Sequence, residues 1–169
     1  DGFRFNFSNQ LTNLVGTPNQ PGSQITRIGG DGAGTLYTYD ASLQVYISSD
    51  GAGAHDQIVF DSGNNQWVWR EGSSRTEEVY GNINGHWKLV ARVDAEGRQV
   101  AFGHNSSGLV NSITDAAGQT LAITYSGTRV TAVTVSSDGT TEQRLHYSYD
   151  AKGRLQKVTV DLSPADRSI

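Results

Sequence analysis

Pairs made of an aromatic ring and a small or polar residue recur along this chain at nearly even intervals, and no other feature constrains its fold as much. Tyr39-Asp40, Phe60-Asp61, Tyr80-Gly81, His104-Asn105, Tyr125-Ser126 and Tyr149-Asp150 place the second residue of each pair 21, 20, 24, 21 and 24 residues after the one before. A period of this length means that one supersecondary unit is built several times, each copy covering its neighbour. The residues after each pair repeat as well. Asn105 is followed by SSGLVNSITDAAG, Ser126 by GTRVTAVTVSSDG and Asp150 by AKGRLQKVTV, each with a glycine or turn residue, an apolar position, then Ile or Val beside Thr. Gly81 opens a looser copy, and the two earliest copies are looser still.

The unit is a β-hairpin. Side chains alternate with period two in Leu36-Tyr37-Thr38-Tyr39, Trp67-Val68-Trp69, Leu121 to Tyr125 and Leu145 to Tyr149, as they do when a strand buries one face. Phe3, Phe5 and Phe7 share one face of a further predicted strand. Between these runs stand DGAG at Asp31 and Asp50, EGSS at Glu71, DAEG at Asp94, DAAG at Asp115 and SDG at Ser137. Glycine accepts a positive φ and aspartate binds the following backbone, so these are turns with a mechanism. Asn9 to Ile28, with Pro18 and Pro21, reads as a loop near the N-terminus. The expected fold is therefore all-β: consecutive antiparallel hairpins forming one curved sheet. Residues 1–30 are expected as a strand and loop capping one end, 31–162 as the repeats and 163–169 as a tail or linker.

The clearest copy is Tyr149-Asp150 with Gly153-Arg154-Leu155 and Val158-Thr159, supported by Ile113-Thr114-Asp115 with Gly118 and by Tyr125. On these residues the chain resembles the YD-repeat, or rearrangement-hotspot (Rhs), proteins, most strongly from Arg92 to Val160. The resemblance implies a spiralling wall of hairpins, which in large members closes into a shell around a toxic segment and which also occurs in adhesion proteins. It implies a large bacterial surface or secreted parent, with neighbouring hairpins of a longer chain, or another copy, as partners. Because Gly, Asn and Ser replace Asp in several pairs, the pair is expected to fix a hairpin and to perform no chemistry. The tyrosine ring offers area across the sheet while its hydroxyl stays wet, the aspartate accepts backbone N–H groups, and the Arg of Gly-Arg-Leu neutralises it.

Other chemistry is weighed against that background. Glu77 and Glu78 are adjacent on a strand and so point to opposite faces, which leaves them unable to share a substrate; they are expected at a solvated edge. His55, His86, His104 and His146 lie in none of the spacings that build a known site. GGDGAGTLY and SSDGAGAHD are incomplete relative to stacked calcium-binding repeats, and tight turns account for both. No cofactor and no metal is expected. Trp67 and Trp69 share one face of a strand and Trp87 lies on a nearby hairpin, so a tryptophan platform for glycans is the rival function, against packing of the same rings on a sheet face.

Composition narrows the partners. A net charge of −4, with 13 Lys and Arg scattered along the chain, gives no basic field for nucleic acid. With no cysteine, disulfides and thiolate metal sites are excluded. No apolar run is long enough to cross a bilayer as a helix. The opening DGFRFNF lacks an initiator methionine and is expected to be a processed or excised start. The expected function is a non-catalytic scaffold, secreted or on a bacterial surface; the alternatives are a carbohydrate-binding module and a hydrolase with a deep pocket.

Overall fold

The computed structural model describes residues 9–50 and 55–161. Its described elements are fourteen strands: β1 (Gln10–Val15), β2 (Gln24–Ile28), β3 (Gly34–Asp40), β4 (Val45–Ile47), β5 (Gln57–Asp61), β6 (Gln66–Arg70), β7 (Glu77–Ile83), β8 (His86–Val93), β9 (Gln99–His104), β10 (Val110–Thr114), β11 (Thr120–Ser126), β12 (Arg129–Ser137), β13 (Thr140–Tyr149) and β14 (Leu155–Asp161). No helix occurs among the described residues. The chain divides between Gln99 and Val100 into two compact units. The expected Phe3 to Phe7 strand, the Gly51-Ala52-Gly53 part of the second DGAG turn and the 163–169 tail lie outside the described residues.

In the first unit, β1 to β8 pair antiparallel with their sequence neighbours, and β1 also pairs with β8 through Gln10↔Lys88 and Leu11↔Trp87. That last pairing closes an eight-stranded barrel. Antiparallel hairpins are as the sequence indicates; an open curved sheet is not what this half forms, because β1 leaves no free edge between itself and β8. The segment read as a loop from Asn9 to Ile28 contains both β1 and β2. Only its middle is loop, and there Asn19 donates from its backbone N–H to the Tyr46 hydroxyl at 2.8 Å and from Nδ2 to the Phe60 carbonyl at 3.0 Å.

Partners directly opposite on antiparallel strands share a face, so the register sorts inside from outside. Leu11, Ile25, Tyr37, Tyr46, Ile58, Trp67, Tyr80 and Leu89 are each no more than 3% exposed. Tyr46, Phe60 and Trp87 surround Trp67 with ring centroids 5.1, 4.7 and 6.2 Å away. The barrel is filled by large rings, and those rings alternate along each strand as the sequence pattern requires.

In the second unit, β9 to β14 pair antiparallel in chain order. Phe102, Ile113, Leu121 and Val135 form one cross-strand row, and Ile123, Val133, Leu145 and Val160 form another. Ser112, Ala122, Thr134, Arg144 and Asp161 line the opposite face. This is an amphipathic sheet with a thin core: Phe102 is its one buried large apolar side chain among the described residues, and Val158 and Val160 are 44% and 51% exposed.

Candidate functional site

Three consecutive segments of the second unit share one bulge. His104-Asn105, Tyr125-Ser126 and Tyr149-Asp150 each end a strand, a turn follows, and the next strand carries an apolar residue at or next to its start (Val110, Val130 or Leu155) and then a register shift; the turn after Ser126 is the two-residue Gly127-Thr128 link closed by Ser126↔Arg129. The shifts leave Asn111, Thr131 and Gln156 as the extra residues. Each bulge returns the apolar residue before it (Val110, Val130 or Leu155) to the face that carries Ile113, Val133 or Val158.

The turns show why Asp or Asn and Gly recur. Asp150 Oδ1 accepts the N–H groups of Lys152 and Arg154, both at 2.9 Å, while its own N–H donates to the Arg154 carbonyl and Gly153 donates back to the Asp150 carbonyl. Asn105 with Ser107, Gly108 and Leu109 makes the same four bonds, and so does Asp115 with Ala117, Gly118 and Gln119. Asp94 repeats them with Glu96, Gly97 and Arg98. The fourth residue of all four turns is a glycine at φ between 72° and 85°. Arg98 and Arg154 close onto Asp94 and Asp150 with Nε–Oδ2 distances of 2.7 and 2.8 Å. Backbone N–H donation, then the arginine, hold both carboxyls below the usual aspartate range.

The tyrosines act differently from expectation. The hydroxyls are not left to water: Tyr125 donates to the Val110 carbonyl at 2.6 Å and Tyr149 to the Val130 carbonyl at 2.7 Å. The cause is local splaying. The β10–β11 ladder begins at Ser112↔Ala122 and the β12–β13 ladder at Ala132↔His146, so the carbonyl two residues before each ladder lacks a strand partner there. A tyrosine of one copy thus serves the bulge of the copy before it, and the repeats interlock.

The earlier pairs use another loop. Asp40 Oδ1 accepts from Ser42 N and Leu43 N, and Asp61 Oδ1 from Gly63 N and Asn64 N. Bonds from the Ser42 hydroxyl and the Asn64 amide add to these and lower both carboxyl pKa values. Gln44 and Asn65, at φ 58° and 50°, end these loops without glycine. Tyr39 packs with a tilted ring against Tyr46, as Phe60 does against Trp67. Tyr80 faces the barrel interior, and Gly81 beside it begins no comparable turn.

The rival tryptophan platform is not assembled on the surface; Trp67 and Trp69 pack inside instead. Trp67 is fully buried and Trp69 is 6% exposed. Trp87, half-buried, lies edge-on to Trp67. The alternation that places Trp67 and Trp69 on one face is the alternation that turns both into the barrel.

Sequence reasoning missed the polar cluster beside them. Glu77 and Glu78 do take opposite faces: Glu77 pairs with Arg70 outside, whereas Glu78 is buried rather than at a solvated edge. Glu78 receives Arg27 and Arg92, both at 2.8 Å, together with the Asn9 amide at 2.6 Å and the Tyr80 hydroxyl. Burial pushes the Glu78 carboxyl up, but Arg27, Tyr80 and Arg92 outweigh it and leave it below the usual range. Burial and the neighbouring Glu78 raise the Tyr80 pKa well above that of an ordinary phenol. The Arg27 guanidinium also lies 3.6 Å from the Trp69 ring, whose indole N–H donates to Tyr37 Oη at 3.0 Å. A lone Glu in a strand carries no signal of such a cluster, because its partners arrive from β2 and β8.

On the outer face, His55, Arg70, Glu71, Arg75, Glu77 and Asp94 border an open cleft of about 600 Å³. Its carboxylates are already engaged: Glu77 by Arg70, Glu71 by the Ser74 hydroxyl and Asp94 by Arg98. His86, His104 and His146 lie apart on β8, β9 and β13. Asp31 Oδ1 accepts the Ala33 N–H within its turn. Among the described residues no group of three or more His, Cys, Asp or Glu could hold a metal ion. No family model matches the chain, and a search of curated proteins finds no significant match.

Proposed function

We propose that the chain is a non-catalytic scaffold segment of YD-repeat (Rhs) type, belonging to a large secreted or bacterial surface protein in which such hairpins build the wall of a toxin shell or an adhesin. The observation that carries this reading is the cassette repeated at His104, Tyr125 and Tyr149, with tyrosine hydroxyls tying each copy to the one before. Its polar residues are spent on turns and its aromatic residues on neighbouring strands. A unit used in that way makes surface and length, and the next hairpin is its natural partner.

A glycan array run with tryptophan fluorescence titrations tests the reading against the sugar-binding alternative. The scaffold gives no array signal and no saturable shift with soluble sugars, since Trp67 and Trp69 are already covered by protein. A saturable shift that Trp87→Ala abolishes contradicts it.

A further inference from the structure

The cassette has a receiving side as well as a donating side. In its first two copies, the strand after the bulge is covered by a strand of one pattern: Leu121-x-Ile123-x-Tyr125 lies on β10, and Leu145-x-Tyr147-x-Tyr149 lies on β12. The spacing is the same in both. Ile113 faces Leu121 and Val133 faces Leu145, and the tyrosine four residues after each leucine bonds the carbonyl three residues before the facing apolar residue. The third copy offers Leu155 and Val158 at that same three-residue spacing, on the strand β14.

Among the described residues β14 pairs only with β13. The bulge at Gln156 puts Leu155 on the same face as Val158 and Val160, and the three are 55%, 44% and 51% exposed. Lys157 is the single charge between them. An edge that no described strand pairs with, bearing an apolar face and protected by one lysine, is a template for strand addition.

We propose that the outer edge of β14 captures an extended polypeptide strand of the pattern Leu-x-apolar-x-Tyr, antiparallel, with its leucine opposite Val158 and its tyrosine hydroxyl donating to the Leu155 carbonyl. The inference rests on the scaffold reading and deepens it by specifying the partner's chemistry. Ladder bonds supply affinity, and the leucine and tyrosine fix the register. Either residue moved by one position would turn its side chain to the other face.

The test uses a fluorescein-labelled peptide with the sequence Gln143–Asp150, titrated into the full chain and followed by anisotropy. Saturable binding is expected. A peptide carrying Tyr149→Phe should bind about fivefold more weakly, the effect of one hydrogen bond. The chain variant Val158→Lys should lose binding while melting as the parent does, because Val158 is already exposed. No binding by the unmodified peptide, equal binding of the Tyr and Phe peptides, or undiminished binding to Val158→Lys each overturns the inference. Light scattering on the same samples separates another occupant: a dimer that Val158→Lys dissociates, without peptide capture, assigns the edge to a second copy and also overturns it. Peptide capture alongside a glycan signal removes the scaffold reading alone, whereas absent capture with no glycan signal removes only the present inference.

Discussion

At Gly153 two demands meet. Its φ of 78° is one that side-chain-bearing residues rarely adopt, and a Cβ there would come 2.6 Å from Cζ of Arg129, whose guanidinium lies over Tyr149. Gly118 has a similar φ of 85° with nothing within 4 Å. Arg129 is a flexible side chain and can move, so the backbone term dominates: Gly118→Ala and Gly153→Ala should each cost about 1 kcal/mol in urea unfolding. A negligible effect at both would deny the turn its part in stability. Tyr125→Phe and Tyr149→Phe should each lose about 1 kcal/mol by the same measurement, the typical worth of one hydrogen bond, provided the hydroxyls serve the carbonyls rather than water. The bonding of Asp150 to the turn and to Arg154 could be read from the sequence, because every partner lies within four residues. The destination of the tyrosine hydroxyl could not. Its acceptor, Val130, lies nineteen residues earlier and is freed only by a bulge that no residue type announces.

Among elements, the strands and their hairpins were legible, since alternation and turn chemistry are local. Barrel closure was not, because Leu11 meets Trp87 across almost the whole first unit and Pro18 and Pro21 disguised the hairpin that contains β1. Closure also gives Glu78 its environment. On an open sheet that side chain would reach water; in the barrel it takes both Arg27 and Arg92. Glu78→Gln should therefore lower stability by roughly 3–5 kcal/mol, because two arginines are left without their counter-charge. Acid should do the same by protonation. The folded carboxyl has the lower pKa, so its contribution is complete above the unfolded value of about 4.3 and is lost as pH falls through the folded one. Near-ultraviolet circular dichroism of the buried tryptophans reports that loss. In Glu78→Gln the part of the acid transition due to this group should disappear, whereas an unchanged acid transition would assign it to other carboxyls.

For the whole molecule, the even spacing of the aromatic pairs could be read before any strand was placed. Spacing did not show that the copies divide into kinds. Asp40 and Asp61 anchor loops that end in a left-handed Gln or Asn, while Asn105 and Asp150 anchor loops that end in glycine and lead into a bulge. The tyrosine links join the bulged copies, Tyr125 to Val110 and Tyr149 to Val130, and the copy between them turns after Ser126 without an Asp or Asn anchor. If that link and its bulge are the real unit of construction, copies should be removable whole. Deleting residues 126–149 joins Tyr125 directly to Asp150, keeps the Tyr125 bond to Val110 and lets β11 turn into β14 as β13 now does. The decisive measurement is the equilibrium unfolding of that shortened chain, followed by far-ultraviolet circular dichroism and tryptophan fluorescence. A cooperative transition from a β-rich state, with the barrel tryptophan signal unchanged, is the predicted result. A chain that loses its β-structure beyond the deleted strands would contradict a scaffold of interchangeable copies.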